Sequence, residues 1–287
     1  MNPNSIICLG DNCIDRYEVP IRRRFVGGNG VNTAVFAAAT GCRTAYAGAV
    51  GDDDGGRAVR RKLQEKGIDV SMIQVYPSET AWTDVTFEEN ERVFGEEFYD
   101  TVRMFRITDD VLAYLNQFGI IHNTFLGGTE SQLERIRRHC PGQISMDFGE
   151  RYNEEFLELC LPFVDIAFFS TDSGDVEEAK RFVKSMHRRG PSLVIETMGK
   201  YGAVCSADGT GCLSTASLSE SPSPGTPIFE SARNIEIVDT LGAGDTFIGT
   251  FLGEYAQGQS PAVCMKKATD AAAASCMRFG GFDGCEI

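Results

Sequence analysis

The sequence lacks any stretch that could cross a membrane. A spanning helix needs roughly 18 uninterrupted apolar residues, and no segment of the chain reaches that length. The short apolar run at residues 6–9 follows no basic leader. We therefore expect a protein with no membrane partner and a cytoplasmic location.

Basic residues are also scarce. The 27 Lys and Arg residues are outnumbered by 41 Asp and Glu residues, which gives a formal net charge of -14. Nucleic-acid backbones are bound through Lys and Arg, so we expect no nucleic-acid partner. A nucleotide is still compatible with this charge, because backbone amides and Mg²⁺ can hold its phosphates locally.

The cysteines are arranged neither for metal binding nor for a disulfide framework. The ten of them form no C-x-x-C pair and have no histidine at the spacing of a zinc site. We expect reduced thiols that fill small apolar spaces. The hydrophobic content of 42% and charged content of 24% are ordinary for a globular protein, and they predict one α/β domain over residues 1–287.

Short apolar runs alternate with longer amphipathic segments along most of the chain. This pattern is typical of βαβ units and predicts a three-layer α/β/α sandwich with a mainly parallel central sheet. The predicted elements include helices at residues 30–39 and 243–256 and a strand at 235–238. Two β-rich segments, residues 12–26 and 82–105, break the alternation. We interpret them as a small β-flap that serves as a lid, or alternatively as plain edge hairpins.

The tripeptide Gly242-Ala243-Gly244 lies directly at a predicted helix start. Glycines there let backbone amides approach an anion, and the helix dipole favours negative charge. Asp245 is either a residue that favours the dipole or a general base for an attacking hydroxyl. A Walker loop occurs nowhere in the chain, and Phe247 stands where a Rossmann fingerprint needs Gly or Ala.

Three motifs together resemble the ribokinase-like (PfkB) carbohydrate kinase family. Residues 239–247 match its C-terminal signature D-T-x-G-A-G-D-x-F, and residues 197–202 match its T-x-G-x-x-G nucleotide segment. The glycine-rich stretches at 27–34 and 48–56 resemble its N-terminal motif. The resemblance covers most of the chain and implies a ribokinase-like fold. It also implies an ATP-dependent kinase that phosphorylates a small sugar or sugar-amine.

The resemblance implies roles for the matching positions on the phosphate side. Asp245 would be the catalytic base, and the amides of Gly242, Ala243 and Gly244 would form the anion hole. Asp239 would order the loop, with a monovalent cation such as K⁺ as a further candidate. The ATP side would be lined by Thr197, Gly199 and Gly202.

On the sugar side, the resemblance implies hydrogen bonds to hydroxyls from Asp11, Gly28, Asn29 and Asn32. From the residues alone, Asp11 could simply cap a turn, and Asn is a normal capping residue at a helix start. Arg92 lies among flap acids, so it either forms an internal salt bridge or reaches the sugar site. In the second case the flap acids would favour a cationic lysine tail.

Shorter matches resemble the fructoselysine kinases within this family. They lie at residues 10–15, 27–29, 91–95, 121–122 and 147–148. They imply phosphorylation of a primary hydroxyl of fructoselysine to give fructoselysine 6-phosphate. Other acceptors stay open, namely fructose, 2-keto-3-deoxygluconate or a nucleoside, as does a non-catalytic sugar- or nucleotide-binding regulator.

One segment departs from the family pattern. Residues 170–173 read Ser-Thr-Asp-Ser where family members often carry N-x-x-E, which arranges Mg²⁺ through water. We assign no residue as a direct metal ligand. Mg²⁺ is expected all the same, because the phosphates need charge neutralisation during transfer.

An apolar face on the flap would favour a homodimer that forms through that flap.

Overall fold

The computed structural model describes residues 2–18, 22–88, 91–150, 152–209 and 225–287. In chain order the strands are β1 (Asn2–Leu9), β2 (Cys13–Tyr17), β3 (Arg23–Gly27), β4 (Arg43–Ala47), β5 (Ala49–Gly51), β6 (Gln74–Tyr76), β7 (Trp82–Glu88), β8 (Glu91–Phe98), β9 (Phe118–Thr124), β10 (Gln143–Asp147), β11 (Ile166–Ser170), β12 (Leu193–Thr197), β13 (Ala203–Ala207) and β14 (Ile228–Glu230). The α-helices are α1 (Asn29–Ala39), α2 (Asp54–Glu65), α3 (Asp109–Leu115), α4 (Leu133–His139), α5 (Glu154–Cys160), α6 (Val176–Met186), α7 (Ala243–Ala256) and α8 (Pro261–Ser275).

Within these residues the central sheet has eight strands in the order β14-β13-β12-β11-β10-β9-β1-β4. All pairs from β12 to β4 are parallel, and only β13 and β14 are added antiparallel at one edge. The mainly parallel sheet predicted from the alternating pattern is confirmed. Its parallel strands all end at one edge, where α/β folds bind their ligands.

Helices cover both faces of this sheet, because strand side chains alternate between the two. Ile6 belongs to a core shared with α1, α2, α7 and α8, whereas its neighbour Ile7 belongs to a core shared with α3 to α6. The sandwich therefore has three layers, as expected. The bounds predicted for the helix at residues 243–256 are those of α7.

Both segments that break the alternation form a second sheet. Its order is β3-β2-β7-β8, with β2 and β7 parallel and the outer pairs antiparallel. Buried Ile14, Tyr17 and Phe25 anchor it on the core that contains α7. A β-flap outside the main sheet is thus present, and its function as a lid stays a prediction.

The strand predicted at residues 235–238 does not form. This segment runs without regular structure beside the end of α8, and the N–H groups of Val238 and Asp239 both donate to the carbonyl of Cys276. Ile237 and Val238 are 59% and 43% exposed. The apolar pattern was misleading here because these side chains face solvent instead of a sheet interior.

The described residues also show the state of the cysteines and the character of the helices. Every cysteine in them is a free thiol, and Cys212 lies outside the described part of the chain. No helix there combines the length and the apolar character that crossing a bilayer requires.

The close packing of α7 on α1 depends on Gly249. A Cβ at this position would lie 2.4 Å from the carbonyl oxygen of Thr33 and 2.9 Å from Cβ of Phe36. We expect Gly249→Ala to lower the free energy of unfolding by about 1–3 kcal/mol, although Ala normally favours a helix. Chemical denaturation measures this change. Gly244→Ala is the matched control in the same helix, since no atom lies within 4 Å of its added Cβ; equal losses in both variants would contradict the packing explanation.

Candidate active site

The candidate site lies where α1 and α7 begin, at the carboxyl edge of the central sheet. Asp245 is in the first turn of α7 and only 8% exposed. The side-chain Nδ2 of Asn32, in α1, donates to Oδ2 of Asp245 over 2.9 Å. The helix cap is Gly242, which makes no side-chain capping bond. Asp245 is therefore oriented by a neighbouring helix rather than used to cap its own.

The protonation equilibrium of Asp245 is strongly shifted. Burial raises the pKa of this carboxyl to about 7, the hydrogen bond from Asn32 lowers it, and the charge of Asp147 raises it again. A carboxylate with a pKa near neutrality can accept a proton from a substrate and release it again at physiological pH. The Oδ1 atom of Asn32 is buried without a hydrogen-bond partner, so this amide has spare acceptor capacity toward a ligand.

The turn before α7 leaves amides available for an anion. Gly242 adopts a left-handed conformation (φ 71°), which a glycine accommodates without strain. The N–H of Ala243 donates to the carbonyl of Thr240 over 3.2 Å, so this amide is already engaged within the turn. The N–H groups of Gly244 and Asp245 lie in the first helical turn, where no intrahelical carbonyl can accept from them.

Asp239 organises the loop that precedes this turn. It is 4% exposed, and its carboxylate accepts hydrogen bonds from the amides of Leu241 (3.0 Å) and Gly280 (3.2 Å). The hydroxyl of Tyr17 donates to the same carboxylate over 2.8 Å. Since Tyr17 is in β2, this bond joins the flap to the loop that leads into residues 242–244. These residues form the turn that is predicted to bind phosphate, here named the phosphate turn.

Asp11 connects the end of β1 to the start of α1. Its buried carboxylate accepts from the amides of Asn29 (2.6 Å) and Gly30 (3.3 Å) and from the hydroxyl of Thr124. Asp11, which follows the end of β1, thus accepts the hydrogen bonds of two amides that have no acceptor within α1. Gly28 permits this approach, because it has φ 103° and a Cβ there would lie 2.5 Å from Cα of Asn12. Asn29 is half-buried at the first position of the helix.

Two further carboxylates belong to this site, and sequence analysis assigned neither of them a role. Asp147 ends β10 and is paired in register with Thr124 of β9, whose hydroxyl contacts Asp11. It is 6% exposed, and burial raises its pKa to about 7, with the charge of Asp11 adding to the effect. Asp15, on the flap strand β2, is 5% exposed, and its charge also raises the pKa of Asp245. Asp147 could have been found from the sequence, because it stands at the carboxyl end of a predicted strand, where α/β folds bind their ligands.

The predicted ATP side lies at the end of β12. The hydroxyls of Thr197 and Ser170 are 2.9 Å apart. Gly199 and Gly202 follow with φ 52° and 119°, and a Cβ on Gly202 would lie 2.2 Å from the carbonyl oxygen of Glu230. No group of three or more His, Cys, Asp or Glu side chains that could hold a metal ion occurs in the described part of the chain.

Arg92 is in β8, opposite Phe87 of β7. Its side chain lies outside the described residues, so its predicted contact with the sugar stays a prediction.

The chain matches the model of the pfkB family carbohydrate kinases over residues 8–123 and 165–285. The chain belongs to this family. It is 29% identical to fructoselysine 6-kinase of Shigella flexneri over 279 residues, which cover 97% of this chain and 99% of that protein. It is 27% identical to a fructosamine kinase of Bacillus subtilis over 282 residues, covering 96% and 92%.

The solved structures agree with this fold. Arabidopsis thaliana ribokinase, solved with ribose and ATP, superposes with a TM-score of 0.78 at 18% identity and covers 96% of this chain and 94% of that one. The fold is ribokinase-like, as the sequence motifs predicted. This pfkB member is an ATP-dependent sugar kinase, and kinases of this family typically use ATP with Mg²⁺.

The buried carboxylates should destabilise the ligand-free kinase at high pH. The pKa of Asp147 is about 7 in the folded state and near 3.8 when unfolded, so the folded state binds the extra proton between these values. Stability is then lost as the pH rises from about 4 to 7. We expect Asp147→Asn to be more stable than the wild type at pH 8, by up to about 4 kcal/mol. This advantage should shrink toward pH 4, as measured by thermal unfolding across the range.

Asp110→Asn is the control for this experiment. It removes the same charge from an exposed position in the first turn of α3. A stability difference for Asp147→Asn that does not vary with pH would contradict the proposed desolvation of this carboxyl.

Proposed function

We propose that this kinase transfers the γ-phosphate of ATP to a primary hydroxyl of fructoselysine, giving fructoselysine 6-phosphate, with Asp245 as the general base. The observation that carries the proposal is the buried Asp245 carboxylate, which Asn32 holds at the N-terminus of α7. Binding alone would not require a carboxylate with a pKa near 7 beside an anion site. This carboxylate is thus consistent with catalysis and not with binding alone.

In this mechanism Asp245 accepts the proton of the acceptor hydroxyl as the hydroxyl oxygen attacks the γ-phosphate in line. The bond between the γ-phosphorus and the bridging oxygen of the β-phosphate breaks, and ADP leaves. The amides of Gly242, Gly244 and Asp245 stabilise the charge on the transferred group, together with the dipole of α7. Thr197, Gly199 and Gly202 bind the nucleotide. When bound, Mg²⁺ neutralises charge on the β- and γ-phosphates.

The flap is proposed to close over the acceptor and exclude water, which would otherwise compete for the phosphoryl group. The hydrogen bond from Tyr17 to Asp239 supports this role, because it connects the flap to the loop before the phosphate turn.

A K⁺ ion near Asp239 stays a prediction. Several donors already contact the Asp239 carboxylate, so backbone carbonyls would have to supply most of the ligands of this ion. A homodimer through the flap stays a prediction too; Phe94 of β8 is 53% exposed on its surface.

The charge of the site supports an acceptor that carries an amine. The pKa of Asp245 is raised by three nearby charges, those of Asp147, Asp11 and Asp15. The charge of Asp11 also raises the pKa of Asp147. A neutral sugar would bring no positive charge to Asp11 and Asp147, whose burial raises their pKa values. The secondary amine of fructoselysine is protonated at neutral pH and is attached directly to the sugar. The relatives' names, fructoselysine 6-kinase and fructosamine kinase, describe sugars of the same class.

Asp245→Asn tests the base. The amide has the same shape but cannot accept the proton, so we expect kcat to fall about 10²–10⁴-fold while ATP still binds. A coupled ADP-release assay measures turnover, and circular dichroism checks the fold. Asp110→Asn controls for the change in net charge. Turnover at the wild-type rate in Asp245→Asn would rule out this assignment.

The wild-type pH profile is a second test of the same carboxylate. Asp245 must be ionised to act as the base, so kcat/KM for the acceptor should rise with pH and level off above about 7. A profile that stays flat between pH 5.5 and 8.5 would speak against a base of this pKa.

Asp147→Asn tests the acceptor. With fructoselysine, fructose, ribose, 2-keto-3-deoxygluconate and adenosine compared in the ADP-release assay, we expect the wild type to prefer fructoselysine. Asp147→Asn should lower kcat/KM for fructoselysine by at least about tenfold and change the value for fructose little, because only the amine loses an ionic partner. Activity on another acceptor alone would keep the kinase and discard this substrate. Inactivity on all five would likewise rule out fructoselysine as the acceptor.

A further inference from the structure

A second cavity opens at the same edge of the sheet but on the opposite face from Asp245. Along β12, Ile195 packs in the core that contains α7, whereas Val194 packs in the core that contains α6. Because strand side chains alternate, Glu196 lies on the α6 face. It lines a cavity of about 380 Å³ together with residues from β11, α6 and the segment after β10. The loop after β11 also lines this cavity and includes residues 171–173, part of the segment that stands in place of N-x-x-E. That volume lies within the range of small-ligand sites.

Glu196 is an unusual residue for this position. It is only 5% exposed, and its Oε2 atom has no hydrogen-bond partner. Buried carboxylates are almost always paired, because an isolated buried charge is costly. The Oε2 atom of Glu196 thus lacks the donor that its burial calls for. Burial, followed by the nearby charge of Glu178, raises its pKa to about 7, so it is ionised in mildly alkaline solution.

The surroundings of Glu196 add negative charge and aromatic surface. Glu150, Asp172 and Glu178 also line the cavity, and the described lining residues include no Lys or Arg. The rings of Tyr152 and Phe182 form a stacked wall with their centroids 6.3 Å apart. Carboxylates beside aromatic rings are the combination that recognises organic ammonium groups, through ion pairing and cation–π attraction.

A metal ion fits this cavity less well. Its carboxylates do not converge in a group of three or more that could hold one, in the part of the chain that the structure describes. The aromatic wall would also contribute nothing to a hydrated Mg²⁺, which prefers oxygen ligands.

We propose that this cavity binds a small alkylammonium cation, with its head group paired to Glu196 and its carbon chain against Tyr152 and Phe182. The site is separate from the acceptor site, since it lies on the other face of the sheet. Its ligand could come from a diamine or from a basic amino acid. The acidic lining favours the diamine, because the carboxylate of an amino acid would be repelled.

Isothermal titration calorimetry at pH 8 tests the proposal on the wild-type protein. The probes are cadaverine, L-lysine, 1-pentanol as a neutral chain of similar length, and MgCl₂. We expect cadaverine to bind at one site per chain, L-lysine to bind more weakly and 1-pentanol not to bind. Glu196→Gln should weaken cadaverine binding by at least about tenfold, since it removes the charge and keeps the shape.

Two variants separate this site from others. Glu158→Gln removes an exposed charge from α5 and should bind cadaverine as the wild type does. Asp147→Asn removes a charge from the proposed acceptor site and should keep the cadaverine binding that Glu196→Gln weakens. The unliganded Glu196→Gln protein should unfold at the wild-type temperature or higher, which excludes misfolding. Loss of binding in Asp147→Asn but not in Glu196→Gln would overturn the proposal, as would binding of Mg²⁺ in place of cadaverine or no binding of any amine.

Discussion

The contact between α1 and α7 is the constraint on which the rest of the site depends. Glycines at 249 and 253 let the two helices approach until the backbone carbonyls of α1 nearly touch α7. At that separation Asn32 reaches Asp245, and the carboxylate loses most of its water. Desolvation then raises its pKa toward neutrality, while the amide of Asn32 keeps it oriented. The raised pKa of Asp245 therefore follows from helix packing.

The same desolvation acts on several carboxylates at once. Asp11 is stabilised by two amides and a hydroxyl, so it can serve as a structural anchor for α1. Asp147 accepts a described hydrogen bond only from the amide of Gly149, and most of its shift comes from burial. A site of this kind gives up stability in the free enzyme, and the proposed cationic acceptor would restore stability on binding.

The flap and the phosphate turn are connected through Asp239. Tyr17 and Asp15 lie on the same flap strand, one bonded to the loop before α7 and the other contributing charge near Asp245. Movement of this strand would therefore change both the shape and the electrostatics of the acceptor site. The Glu196 cavity lies on the opposite face of the sheet, so the carboxyl edge of one sheet presents two acidic sites that are separated by the strands themselves.

The sequence by itself determined the fold class, the helix at residues 243–256 and the positions of the glycine-rich motifs, because these depend on local periodicity and on neighbours along the chain. It failed at residues 235–238, where apolar residues turned out to face solvent. Only the tertiary structure decided that Asn32 orients Asp245 across 213 positions, that Asp147 and Asp15 join the site, and that Glu196 is buried without a partner. Desolvation and hydrogen bonding depend on distance in space, and this distance cannot be read from how far apart two residues stand along the chain.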